Sequence, residues 1–298
     1  MRSELYNIDC LEYMKTLPDE SVDVICTDPP YKYLDHKLDR DFDEQVFFDE
    51  AVRLLKDGGW IILFGRGTSF YRWNTMLHER GMVFKEEVIW NKQYGGTVFN
   101  ALNRMHETIS ISVKRKGNLF KNKVPYIEKR EYNTDEMRQD IKRLLPVIGN
   151  CHELQSLLSY LDEGVIYSNS IRKRSININS ETKSIDRVVG TMRTIREGIK
   201  ESSIIQIINN TRGNIHPTQK PVRLIERLLQ LVTRGGLVLD PFSGSGSCRI
   251  ACHNLGLDFI GCEIDKEYFD KANERFEKEI YGVEVIGQQV IQQQSLFE

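Results

Sequence analysis

The sequence predicts an α/β fold: a parallel sheet covered by helices and interrupted by one long insert. Three observations carry this reading. Short apolar runs alternate with amphipathic stretches over residues 1–113. The same rhythm returns after residue 213. Between them, residues 114–213 lack the rhythm and hold 19 basic against 12 acidic residues, a net of +7 where the remainder carries −9.

Taken in order, Leu5–Ile8 is a short apolar run. Val22–Thr27 (VDVICT) reads as a buried strand that Asp-Pro-Pro must end, since proline lacks the amide a helix or ladder would need. Residues 44–56 have apolar positions at helical spacing and stop at Gly58-Gly59. Trp60–Phe64 (WIILF) reads as a strand, Thr68 to His78 as a helix, and Val83–Trp90 and Thr108–Val113 as strands. In the insert, 135–145 and 151–161 have helical periodicity. Pro221–Thr233 then predicts a helix with proline at its start. Leu237–Leu239 predicts a strand, 246–255 a helix, Asp258–Glu263 a strand and 266–278 a helix. The tail 281–298 shows little pattern and is expected to be loose.

A chain of 298 residues suits one large domain, or a domain with an insert. Its 40% hydrophobic and 28% charged residues suit a globular protein. No run of about 18 apolar residues predicts a membrane span. The first residues, MRSELYNIDCLEYMK, are too polar for a signal peptide, and six cysteines then read as reduced thiols of a cytoplasmic protein. Cys248, Cys252 and His253 cluster on a helical stretch with no second ligand pair, so no metal site is expected. The overall charge of −2 says nothing about a polyanionic partner. The basic insert in an acidic frame does: it fits contact with an anionic polymer, the alternative being an unevenly charged solvated surface.

Two loops carry the chemistry. In LVLDPFSGSG (237–246) a buried strand runs through Asp240 into a Gly/Ser turn that opens a helix, letting backbone approach a ligand closely. The next strand ends in Glu263, placed to accept hydrogen bonds from ribose hydroxyls of a nucleotide-like cofactor. The turn lacks the third glycine of the dinucleotide fingerprint, which disfavours NAD. In Asp28-Pro29-Pro30-Tyr31, two prolines stiffen the loop and leave carbonyl acceptors, Asp28 adds a carboxylate and Tyr31 a flat ring. Acceptors beside a stacking ring suit an aromatic amine. Either loop alone could be a tight structural turn.

Together, DPPY at 28–31, HPTQKP at 216–221 and DPFSGSG at 240–246 resemble the amino-group DNA methyltransferases that use S-adenosylmethionine. The order of motifs resembles their β-class. The resemblance spans residues 4–113 and 214–275. It implies a Rossmann-like S-adenosylmethionine-dependent methyltransferase sheet in circularly permuted order, with an inserted target-recognition region. The domains would be a catalytic domain from 1–113 and 214–280, the insert 114–213 and a tail 281–298.

Residue by residue, the resemblance implies that Asp240, Phe242, Ser243, Gly244 and Gly246 wrap the methionine part of S-adenosylmethionine. Glu263 would take its ribose, Asp9 and Cys10 its adenine, and Thr218 and Lys220 its carboxylate. Asp28, Pro29, Pro30 and Tyr31 would hold a base flipped out of double-stranded DNA. Trp90-Asn91-Lys92 and His106-Glu107 match the family loosely, with a structural role as the simpler reading of the second pair. Asp at the first motif position favours adenine N6 over cytosine N4. A cytosine-C5 enzyme would need a Pro-Cys nucleophile, and the chain has no such pair. Protein-glutamine enzymes carry Asn-Pro-Pro-Tyr instead. The other class of reading is an inactive nucleic-acid-binding protein on the same fold. A homodimer and a cognate restriction enzyme stay open as partners. The basic clusters at 114–116, 121/123, 129–130, 172–174 and 193/196 are expected to meet phosphates.

Overall fold

The computed structural model describes residues 1–31, 40–93, 102–103, 105–131, 133–148, 158, 191, 193–209, 213–286 and 289–292. The helical stretch expected at 151–161, apart from residue 158, lies outside them, as do the basic cluster at 172–174 and the first five residues of the charged run DHKLDRDFDE (35–44).

Two compact units divide the chain, residues 1–120 with 202–298 and residues 121–201. The first begins with β1 (Ser3–Tyr6) and α1 (Cys10–Met14), whose amino end is capped by the Asp9 carboxylate. β2 (Val22–Thr27) stops where the prolines begin. α2 (Glu44–Leu54), capped by Asp43, leads directly into β3 (Leu55–Gly65). α3 (Gly67–Glu79), β4 (Met82–Asn91) and β5 (His106–Lys114) follow. In the second unit, β6 (Lys123–Val124) pairs antiparallel with β7 (Ile199–Lys200) beside α4 (Tyr126–Arg130) and α5 (Thr134–Ile148). The first unit resumes with β8 (Ile204–Gln206), α6 (Val222–Val232), β9 (Leu237–Asp240), α7 (Ser247–Leu255), β10 (Asp258–Cys262) and α8 (Lys266–Tyr281). A ribbon of β11 (Val283–Ile286) and β12 (Gln289–Gln292) ends it.

The eight-stranded sheet runs β1-β10-β9-β2-β3-β5-β4-β8. Strands β1, β10, β9, β2 and β3 are all parallel. Alternate residues of β2 and β3 face opposite layers, as the period of two requires. Val24, Cys26, Ile62 and Phe64 pack with Leu228 of α6 and Ala251 of α7. Ile25, Ile61 and Leu63 pack with Phe47 and Phe48 of α2 and Trp73 of α3. Val24 and Ile25 of β2 lie beside Val238 and Leu239 of β9. The chain runs outward from this pair in opposite directions, through α7 to β10 and through α2 to β3. That is the switch point at which open sheets of this kind leave a crevice beyond the carboxyl ends of their strands.

Four features differ from the sequence reading. The sheet is not wholly parallel: β5 is antiparallel to both β3 and β4. The sequence joining β4 to β5 contains Gly95-Gly96, which works against the crossover helix a parallel return needs. β3 starts at Leu55, before the glycine pair expected to precede it. It absorbs Gly58 and Gly59 in an irregularity, where Val22 pairs Leu55 but Val24 pairs Trp60. Charge and rhythm drew the insert too wide: residues 114–120 and 202–209 belong with the sheet, β8 lying parallel to β4. The tail holds an antiparallel ribbon rather than loose chain, in keeping with the β-branched residues of VEVI and QVIQ.

Candidate active site

A cavity of about 620 Å³ opens beyond the carboxyl ends of β9 and β2, within the range of small-molecule sites. Every residue that the sequence reading assigned to the site lies on its wall except Gly246.

The wall after β9 is built on backbone geometry. Ser243 N–H donates to the Cys262 carbonyl and Gly246 N–H to the Ser243 carbonyl, both at 2.9 Å. Gly244 N–H donates to Glu263 Oε2 at 2.9 Å, and Asp265 N–H to Glu263 Oε1 at 2.8 Å. Glu263 therefore fastens the glycine turn to the end of the neighbouring strand. Gly244 has φ +50°, and a Cβ there would stand 3.5 Å from the His216 ring. That ring packs edge-on against Tyr268 at 4.5 Å and contacts Thr218 through Nδ1 at 3.1 Å. The HPTQKP segment thus lies over the turn. Gly246, with φ +73°, forms the amino end of α7 and packs against Ala272 of α8. Its job is to let the chain turn and close on α8, not to line the cavity.

Asp240 Oδ1 accepts from the Phe242 amide at 3.3 Å. Burial pushes its carboxyl up to about 7. Burial likewise raises Glu263. The Phe242 ring sits 5.1 Å from Phe42 and 5.4 Å from Phe47, fixing the loop to α2. Asp9 accepts from the Leu11 amide at 2.8 Å while it lines the cavity beside Cys10. Burial pushes the Cys10 thiol up to about 12, so it stays protonated.

The opposite wall holds Asp28. Its Oδ1 accepts from the Tyr31 hydroxyl and its Oδ2 from Lys220 Nζ. Tyr31 leans on Trp73, ring centres 5.9 Å apart. Sequence reading put Lys220 with the cofactor's carboxylate; instead its buried ammonium is paired with Asp28 and also meets Glu107 Oε2 at 3.2 Å. Glu107 in turn pairs with Lys92 at 3.0 Å. The β4–β5 hairpin brings these last two together, since Trp90 lies opposite Glu107. Burial raises Asp28, against the pull of Lys220. Burial also acts to raise Glu107, but Lys220 and Lys92 outweigh it and hold the group below the usual carboxylate range. Burial alone would lower Lys220; Asp28 and Glu107 raise it instead. Trp90 is wholly buried, its Nε1 donating to the Ile207 carbonyl at 2.9 Å.

Sequence reasoning gave Glu107 a structural role and passed over His216. The available signals were the Lys92 and Glu107 motifs flanking one hairpin and the histidine opening HPTQKP.

Comparison with known proteins places the chain in a family. The model of the N6/N4 DNA methylase family matches residues 22–274. The chain belongs to that family. It is 26% identical to the type II methyltransferase M.HpaI of Haemophilus parainfluenzae, over 97% of this chain and 79% of that protein. It is 25% identical to the type II methyltransferase M.BamHI of Bacillus amyloliquefaciens, over 89% of this chain but only 56% of that longer protein. Its fold resembles the crystal structure of an M1.HpyAVI–SAM complex, with a TM-score of 0.55 and 22% identity, covering 91% of this chain and 98% of that one. Among the described residues, no helix is long and apolar enough to cross a membrane.

Proposed function

We propose that this chain transfers a methyl group from S-adenosylmethionine to the exocyclic N6 of an adenine flipped out of duplex DNA. The observation that carries the reading is the facing of the Asp28 wall and the Gly244–Glu263 wall across one cavity.

The residues present fit the cofactor. The glycine turn gives close backbone approach, Asp9 and Glu263 offer acceptors for an amine and for hydroxyls, and the buried Ser243 hydroxyl has no hydrogen-bond partner among the described residues. Asp240, Phe242, Ser243 and Gly244 would hold the amino-acid part, Glu263 the ribose, and Asp9 and Cys10 the adenine. When bound, the sulfonium supplies an activated methyl carbon.

Asp28 and the Pro29 carbonyl act on the target amine. Its lone pair is conjugated with the ring and so is a poor nucleophile. Accepting both amine hydrogens favours a pyramidal nitrogen whose lone pair points at the methyl carbon. Positioning and fixed charges then supply most of the acceleration. The Tyr31 ring replaces stacking lost on flipping, about 1–3 kcal/mol per base. In this state Tyr31 donates to Asp28, so the entering amine competes with that hydroxyl.

The second unit, with the basic residues around it, is assigned the reading of DNA. Several of its cations are held by nearby acids: Lys129 by Glu201, Arg130 by Glu136 and Asp140, and Arg143 by Asp140. Lys121, Arg193, Arg196 and Lys200 are exposed and better suited to phosphates. Kinship with type II methyltransferases supports a role beside a restriction endonuclease.

The test is to incubate the chain with methyl-labelled cofactor and unmethylated duplex DNA, then digest to nucleosides. Label in N6-methyladenine is expected. Label in N4-methylcytosine moves the acceptor to cytosine. DNA binding with no transfer supports the inactive scaffold.

A further inference from the structure

We propose that Lys220, held by Glu107, is a positioning residue that keeps the Asp28 carboxylate charged and in place for the target amine. The proposal rests on the methyl-transfer reading above and assigns Lys220 to the acceptor side of the crevice.

Three observations carry it. First, the Lys220 backbone is anchored, its carbonyl accepting from the Ser247 hydroxyl at 2.7 Å at the start of α7. Second, its ammonium is 5.3 Å over the Phe64 ring, where water is largely excluded. Third, it bridges two carboxylates from different strands, Asp28 after β2 and Glu107 on β5, and Glu107 is balanced from its far side by Lys92. Two acids and two bases thus alternate from the crevice toward the β4–β5 hairpin. The groups facing Asp28 are Lys220 from the segment before α6, Glu107 from β5, the Tyr31 hydroxyl from its own loop, and Asp240 from β9.

The chemistry needs such a device. Asp28 lies in a site where burial favours its neutral acid, and Glu107 pushes the same way. A neutral Asp28 could accept less well from the amine. As the nitrogen–methyl bond forms and the carbon–sulfur bond breaks, sulfur keeps the bonding pair and nitrogen carries one surplus proton. A charged Asp28 can take that proton; a protonated one cannot. Lys220 is the one cation in direct contact with Asp28 among the described residues. Glu107 opposes it in charge while holding it in place, so the two should move Asp28 in opposite directions.

The experiment measures kcat/KM against pH for methyl transfer to unmethylated duplex DNA, with cofactor affinity by calorimetry. The chains compared are wild type, Lys220→Met, Lys220→Arg and Glu107→Gln. Lys220→Met is expected to move the acid limb up by about one pH unit or more, a tenfold loss at a pH below it. Lys220→Arg should restore most of the wild-type limb. Glu107→Gln should move the limb down. Cofactor affinity should stay within about threefold throughout, a ratio worth less than 1 kcal/mol. An acid limb that stays in place in both Lys220→Met and Glu107→Gln overturns the proposal, as does a loss in Lys220→Met confined to cofactor affinity. Should Lys220→Met fail to fold, an unmoved or raised limb in Glu107→Gln overturns it alone. A wild-type chain that labels no DNA overturns the underlying reading instead, which keeps the two failures distinct.

Discussion

The Gly244 amide donates to the Glu263 carboxylate at 2.9 Å, joining the loop after β9 to the end of β10. Glu263 accepts a second amide, from Asp265, at 2.8 Å. One carboxylate thus shapes the turn and closes one end of the crevice. Replacing it with alanine leaves two amide donors without their acceptor, at a cost of about 1–3 kcal/mol for each that stays buried. Glu263→Ala should therefore weaken cofactor binding by tenfold or more in a calorimetric titration. Unchanged affinity would remove Glu263 from the cofactor wall.

The opposite wall should behave differently. Among the described residues Asp28 hydrogen-bonds Tyr31 and Lys220 rather than the glycine turn. Asp28→Ala should abolish methyl transfer in a label-incorporation assay and leave cofactor affinity within about threefold, since less than 1 kcal/mol of binding is then lost. A parallel collapse of cofactor affinity would contradict the division of the crevice into two walls.

Asp240 predicts a pH signature in folding. Its carboxyl is pushed up by burial to about 7 from an ordinary 3.8. Between these values the folded chain keeps a proton that the unfolded chain has lost. Its contribution is complete below the unfolded value and fades as pH rises through the folded one, at up to about 1.4 kcal/mol per pH unit. Asp240→Asn lacks the titration. Urea unfolding at pH 5 and pH 8 should therefore show wild type losing stability relative to Asp240→Asn as pH rises. A constant difference would refute the raised carboxyl.

The two motif loops were legible because their chemistry is local. The prolines after Thr27 must end a strand, and a glycine such as Gly244 tolerates positive φ without strain. The parallel half of the sheet followed from alternating runs whose crossovers are helices. What the sequence hid is non-local. Lys220 is 192 positions from Asp28, and only the switch between β9 and β2 brings their loops together. Glu107 looked structural because its partner Lys92 reaches it through a hairpin whose direction the apolar pattern of β4 and β5 does not encode. Gly246 shows the reverse error: a motif glycine can serve helix packing beside a site whose wall it does not form.

The last prediction concerns the second unit. Its charge is less available than the composition suggests, because Lys129, Arg130 and Arg143 are engaged by Glu201, Glu136 and Asp140. Lys129 and Arg130 were expected to meet phosphates. Their pairing with nearby acids makes them more useful in holding α4, α5 and the end of the unit at Glu201 together. Arg193 and Arg196 are exposed, though the Glu197 carboxylate, held by Lys123, feels both. Replacing Arg193 and Arg196 together with alanine should weaken DNA binding on all sequences and reduce the slope of log affinity against log salt by about two, one per phosphate contact. Replacing Lys129 with alanine should instead lower the unfolding midpoint and leave the salt slope near wild type. Sequence choice should survive both changes, since phosphate contacts position the protein and base contacts specify. Filter binding across a salt series, read beside thermal melts of each variant, separates the two roles. An unchanged salt slope in the double arginine variant would take that surface out of the DNA interface.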